Sequence, residues 1–289
     1  MNMKTITPSQ ETNSNINTAT TTLVLGGNGK TGRRIAQALK QLGHQVRIGS
    51  RSASPAFDWD EPANWDTVLS GVDAIYIAFH PDLAVPGASE AIQQLIETAR
   101  NQYVKKLVLL SGRGEPEAQR CERLVAESGL NYTLLRCAWF NQNFSESFMR
   151  DMVMEGALAL PADNVLEPFI DADDIADVAV AALKDERHNG KLYELTGPEL
   201  LSFDDVAREI SKATGRSIPF VSITREQFID GMRTAEVPAP MIELVDYLVT
   251  EVLDGRNAFL TDGVQQALGR KPRSFHEYAR KTAREGYWE

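Results

Sequence analysis

The segment Leu23-Val24-Leu25-Gly26-Gly27-Asn28-Gly29-Lys30-Thr31-Gly32 limits what this chain can become more than any other stretch. A short apolar run ends in glycines, and directly beyond them Ile35, Ala38, Leu39 and Leu42 recur at helical spacing until Gly43 stops the pattern. A buried strand must therefore turn sharply into a helix whose first N–H groups lack intrahelical partners and favour an anion. Gly26 permits the turn, Gly29 lets the backbone approach a pyrophosphate, and Gly32 seats the helix on the sheet. The spacing is G-x-x-G-x-x-G, and the flanking strand and helix give it its weight. Gly26, Gly27, Asn28, Gly29, Lys30, Thr31 and Gly32 are accordingly expected to cradle a dinucleotide.

The rest of the chain supplies the matching framework. Strands are expected at 46–48, 72–79, 107–110 and 132–135, with helices at 62–69, 88–103 and 117–128 between them. This alternation predicts an α/β fold, a Rossmann-type doubly wound parallel sheet with a smaller, mostly helical C-terminal part. After Cys137 the pattern loosens. A helix is expected over 145–155, extended chain over 167–170, a helix capped by Asp171 through Leu183, and a strand over 191–195. Helices at 204–214, 225–234, 241–253 and 275–285 follow. The expected organisation is a polar, disordered tail (1–20), a cofactor domain (21–138), and residues 139–289 carrying the remaining sheet elements and a helical substrate cap.

Composition removes several classes of function. With 40 acidic against 30 basic residues the net charge is −10, which disfavours direct nucleic-acid binding and docking on anionic membranes. No apolar run approaches the roughly 20 residues needed to span a bilayer, and no signal-peptide core precedes Thr21. The two cysteines, Cys121 and Cys137, have no metal-ligand spacing. A cytoplasmic protein without a metal is expected, with a small-molecule partner.

The end of the second strand selects the cofactor. An NAD site usually places an acid there, about 20 residues past the glycines, to hold the ribose 2′-hydroxyl. This chain has Gly49-Ser50-Arg51-Ser52 instead. Arg51 offers a bidentate fork to a 2′-phosphate and Ser50 adds a hydroxyl, so NADP(H) is expected. Lys30 and Arg33 add positive charge from the glycine-loop side.

Several segments together resemble the NmrA-like branch of the atypical short-chain dehydrogenase/reductases. They are Gly26–Arg34, Ser50-Arg51, Gly71–Ala74, Ser128–Arg136, Trp139–Phe144 and Phe169–Ala176, and the likeness spans nearly the whole chain after Thr21. The chain is also similar to bacterial relatives of ergot-alkaloid reductases. The resemblance implies an NADP(H) site lined by the glycine loop, Arg51, Ala78, Phe79 and His80, and by Ala138, Trp139 and Phe140. It places Asp58 and Trp59 near the adenine and Phe140, Asn143 and Phe144 on the substrate side. Cys137 stands where the family has a proline.

The departures bear on the chemistry. Ordinary family members use a Tyr-x-x-x-Lys pair for proton transfer, and none occurs near the fourth or fifth strand. Nor does the stretch Glu117–Glu122 hold the lysine that many NmrA-like relatives carry there. The catalytic acid is thus unassigned: His80, Arg113 and Glu115 are conceivable, and Ser111 is expected to contact cofactor or cap a turn. Asp171, Asp173 and Asp174 read as helix-capping residues, and Met149, Met152 and Met154 as packing or cleft lining. Two functions follow. One is an NADPH-dependent oxidoreductase acting on a small unsaturated, carbonyl, quinone or iminium substrate. The other is a non-catalytic NADP(H) sensor that binds a protein partner.

Overall fold

The computed structural model describes residues 20–289, so the expected tail lies outside the described residues except for Thr20. The elements run β1 (Thr21–Leu25), α1 (Lys30–Gln41), β2 (Gln45–Gly49), α2 (Trp65–Leu69), β3 (Ala74–Ile77), α3 (Ala88–Asn101), β4 (Lys106–Gly112), α4 (Pro116–Ala126) and β5 (Asn131–Cys137). There follow α5 (Asn143–Glu146), α6 (Phe148–Glu155), β6 (Leu158–Leu160), β7 (Leu166–Glu167), α7 (Ala172–Lys184), β8 (Lys191–Leu195), β9 (Leu201–Ser202), α8 (Phe203–Thr214) and β10 (Phe220–Ser222). The chain closes with α9 (Arg225–Thr234), α10 (Ala239–Tyr247), α11 (Gly263–Leu268) and α12 (Phe275–Arg284).

Six parallel strands form the main sheet in the order β2-β1-β3-β4-β5-β8. Its central strands are apolar almost throughout because both faces are covered. On one face Trp65, Ile92, Leu95 and Cys121 of α2, α3 and α4 pack on Leu23, Ile75 and Leu107. On the other, Ile35 and Leu39 of α1 meet Ile175 and Ala179 of α7 over Val24 and Val108. The chain reverses its winding direction between β1 and β3, which opens a crevice at the carboxyl ends of those strands, the usual ligand position in open α/β sheets.

The C-terminal part has its own aromatic core, in which Phe144, Phe169, Phe203 and Phe275 meet edge to face. It is not purely helical: β6 pairs with β10, and β7 with β9. The helix expected over 145–155 is two helices, because Ser147 is extended and breaks the turn between α5 and α6. Asp171 caps α7 by accepting from Asp173 N at 2.8 Å. Asp173 pairs with Arg34 and Lys281, and the buried Asp174 with Arg270 and Arg273. These carboxylates hold α7, α1 and the C-terminal segment together.

Candidate active site

The glycine loop is built as its sequence requires. Gly26 has φ +67° and lies against Ala78, so β1 and β3 close on each other at the crevice. A Cβ on Gly32 would stand 2.2 Å from Gly26 O, which makes that glycine a packing requirement of α1. Gly29 differs: its backbone is extended, and an added Cβ would meet only Gly26 O, at 3.1 Å. Gly29 is also the N-cap of α1, with no side-chain cap and no acid in the first turn. Ser202, Thr224 and Ser274 cap α8, α9 and α12, whereas the first N–H groups of α1 are left for an anion. Tyr76 OH donates to Thr31 Oγ1 at 2.9 Å inside the core and fixes the start of the helix.

The turn after β2 abuts this loop. Ser50 Oγ and Ser52 Oγ are 3.3 Å apart, and Asn28 Nδ2 reaches Ser52 Oγ at 3.5 Å. Arg51 is exposed and makes no ion pair or hydrogen bond among the described residues. These groups fit a dinucleotide phosphate. Two of the expected cationic helpers serve otherwise. Arg33 pairs with Glu146 at 2.5 Å, and Lys30 Nζ donates to Asn143 Oδ1 at 3.0 Å. Lys30 thus points into the cleft, where burial pulls its pKa down.

That cleft, about 440 Å³ in volume, adjoins the loop. Lys30, Ser111, Ala138 and Phe140 form its floor, Phe79 and the exposed His80 one side, and Met241, Leu244 and Val245 of α10, with Leu248 just beyond it, its roof. Phe79 is braced by Trp59 with ring centroids 4.6 Å apart. Lys30, Phe79, His80, Ser111, Ala138, Trp139, Phe140 and Asn143 therefore meet in one cavity, with Gly26, Gly27, Asn28, Gly29, Thr31, Gly32, Ser50, Arg51 and Ala78 at the neighbouring strand ends. Phe144 does not join them. It is fully buried among Phe169, Phe203 and Phe275, a core residue and not a substrate contact.

Three acids line the same cleft: the buried Glu115 and Glu167, and the half-buried Asp82. Glu115 sits at the N-terminus of α4, its carboxyl facing that of Asp82; burial, then the Asp82 charge, raise its pKa. Asp82 is oriented by accepting from Ala84 N at 2.8 Å, and burial raises its pKa too. Glu167 accepts from Trp139 N at 3.2 Å, and burial pushes it up to about 7. Sequence reasoning missed Asp82 and Glu167. The available signal for Glu167 was a lone charge in the run Val165-Leu166-Glu167-Pro168-Phe169. Arg113, a conceivable acid, is committed elsewhere: it pairs with Glu194 at 2.7 Å, donates to Asn257 O, and lies over the Phe259 ring.

Among the described residues no group of side chains could hold a metal ion, and no helix is long and apolar enough to cross a membrane. Both cysteines are buried and free.

Two family models match the chain: one described as NAD(P)H-binding over residues 26–186, the other as the NmrA-like family over 118–279. Agroclavine dehydrogenase of Claviceps fusiformis is 31% identical over 89% of this chain and 96% of its own length. The structure of Citrobacter sp. triphenylmethane reductase complexed with NADP(H) superposes with a TM-score of 0.72 at 20% identity, covering 91% of this chain and 99% of that one. NmrA, a negative transcriptional regulator solved in complex with NADP, gives 0.70 at 18%, over 92% and 96%. At these identities the two structures show a common fold. Together with the family models and the dehydrogenase relative, they establish that this chain belongs to the NAD(P)H-binding, NmrA-like family.

Proposed function

We propose that the chain is an NADPH-dependent reductase that transfers hydride to a small unsaturated, carbonyl, quinone or iminium substrate. The observation that carries this reading is the cleft. It runs from Lys30 and the strand ends Ser111 and Ala138 to an apolar roof on α10, and is large enough for a small molecule. Relatives named as dehydrogenases support it.

The residues present fit the cofactor. The uncapped start of α1 and the side-chain-free backbone of Gly29 suit a pyrophosphate. Arg51, Ser50 and Ser52 suit a 2′-phosphate and favour NADPH over NADH. Bound NADPH would supply the hydride. The protein's own part is to exclude water with the α10 roof, to hold the substrate against Phe140 and Trp139, and to supply a proton where the substrate needs one.

The test is NADPH consumption by the purified protein with a panel of quinones, enones, aldehydes and imines. Turnover of at least one class is expected, and none on any class would overturn the reading. The missing Tyr-x-x-x-Lys pair and the likeness in fold to NmrA favour a second reading, an NADP(H) sensor. A sensor requires a protein partner whose affinity differs between NADP⁺ and NADPH, with the reciprocal shift in cofactor affinity.

A further inference from the structure

The end of β4 carries an unexplained arrangement. Ser111 and Glu115 are only 5% and 6% exposed, and both line the cleft. Ser111 Oγ and Glu115 Oε2 are buried with no hydrogen-bond donor reaching them among the described residues. The group facing the Glu115 carboxyl is another carboxyl, that of Asp82. A buried carboxyl facing a half-buried one favours sharing a proton, because two charges so placed repel where burial weakens screening. The place is also reserved sterically. A Cβ on Gly112 would stand 2.0 Å from Glu115 Oε1, so the absent side chain of Gly112 makes room for this carboxyl at the strand end.

The geometry points to Glu115 as the proton donor of the reaction, with Asp82 holding its proton in place, for substrates whose reduction leaves charge on oxygen: carbonyls, enones and quinones. This rests on the reductase reading above. Bound NADPH would supply hydride to the electrophilic carbon, and the π electron pair would move to the substrate oxygen. That oxygen takes the Glu115 proton; the O–H bond breaks and its electrons stay on the carboxylate. Ser111 Oγ, free of partners, is positioned to hydrogen-bond the same oxygen. After product leaves, water returns one proton to the pair. The site replaces the missing tyrosine and lysine with two acids whose mutual repulsion keeps a proton available at neutral pH.

The charged and titratable groups around the pair come from several elements. Glu122 on α4 and Tyr247 on α10 act on it electrostatically; Glu167, Lys30 and Arg113 line the same cleft; and Arg256 Nη1 donates to Gly114 O at 3.4 Å. Glu122 is neutralised by Arg136 at 2.5 Å and Arg113 by Glu194, which leaves Asp82 as the dominant neighbour.

Three measurements on the full chain test this. Infrared spectra of the cofactor-free protein at neutral pH should show a protonated carboxyl band that Glu115→Gln removes; no such loss overturns the proposal whatever the activity. With an enone, carbonyl or quinone substrate, Glu115→Gln should lower kcat by about a hundredfold, the lower end of general-acid contributions, and leave NADPH affinity unchanged. Asp82→Asn should move the alkaline limb of the kcat profile to lower pH, because the charge that holds the proton is gone. An iminium substrate, which needs no proton on hydride addition, should lose far less rate in Glu115→Gln than a carbonyl substrate does. Wild-type-like kcat of Glu115→Gln on carbonyls would overturn the donor role while the reductase reading stands. Absence of turnover by the wild type on every class would overturn both.

Discussion

Lys30 Nζ donates to Asn143 Oδ1 at 3.0 Å, joining the first residue of α1 to the first residue of α5 across 113 positions of sequence. The bond connects the phosphate-facing helix to the wall of the cleft. It also compensates an ammonium whose burial disfavours its charge. Asn143→Leu should therefore lower the Lys30 pKa further, which NMR titration of isotopically methylated lysine would detect. An unchanged Lys30 titration would mean that the amide gives it no support.

Arg51→Ala should weaken NADPH binding about tenfold or more, since a hydrogen-bonded charge is worth about 1.5–3 kcal/mol. NADH affinity should hardly move. Calorimetric titration of both cofactors checks this, and equal losses for the two would remove Arg51 from the 2′-phosphate site.

Two glycines three residues apart, about 4.5 Å of helix rise, should behave differently. Gly29→Val should abolish binding of both cofactors while the protein stays folded, because its backbone is extended and its Cβ would meet only Gly26 O, at 3.1 Å, far less severely than at Gly32. Gly32→Ala should lower the melting temperature instead, since its Cβ would collide with Gly26 O. Thermal melts paired with cofactor titrations separate the two effects.

Glu167 makes stability depend on pH. Its pKa is pushed up to about 7 from 4.5, so between those values the folded chain holds a proton that the unfolded chain has released. Raising the pH through that window therefore favours unfolding. Denaturant midpoints should fall for the wild type relative to Glu167→Gln as pH rises from 4.5 to about 7, and the difference should level off above it. A constant difference across the window would show that Glu167 does not retain its proton.

Phe140→Ala should reduce kcat/KM for any accepted substrate by removing apolar contact from the cleft floor. NADPH affinity should fall much less, because the proposed phosphate contacts lie at α1 and Arg51. Parallel losses in both would place Phe140 against the cofactor alone.

The strand–glycine–helix turn, the parallel sheet and the exposed Arg51 were legible in the sequence because each is written in neighbouring residues. Strand–glycine–helix order is a local pattern, and Arg51 lies just past the end of β2. Asp171 was readable as a cap for the same reason, since it bonds an amide two positions away. Tertiary structure alone decided which polar groups share a cavity. Asp82 and Glu115 follow different strands and meet only because β3 and β4 are neighbours in the sheet. Phe144 looked like a cleft residue beside Asn143, but the aromatic side chains it joins arrive from Phe169, Phe203 and Phe275, far along the chain. Burial and the identity of a facing group are properties of the packed chain, and they set both the upward shift of the Glu115 carboxyl and the direction in which Lys30 points.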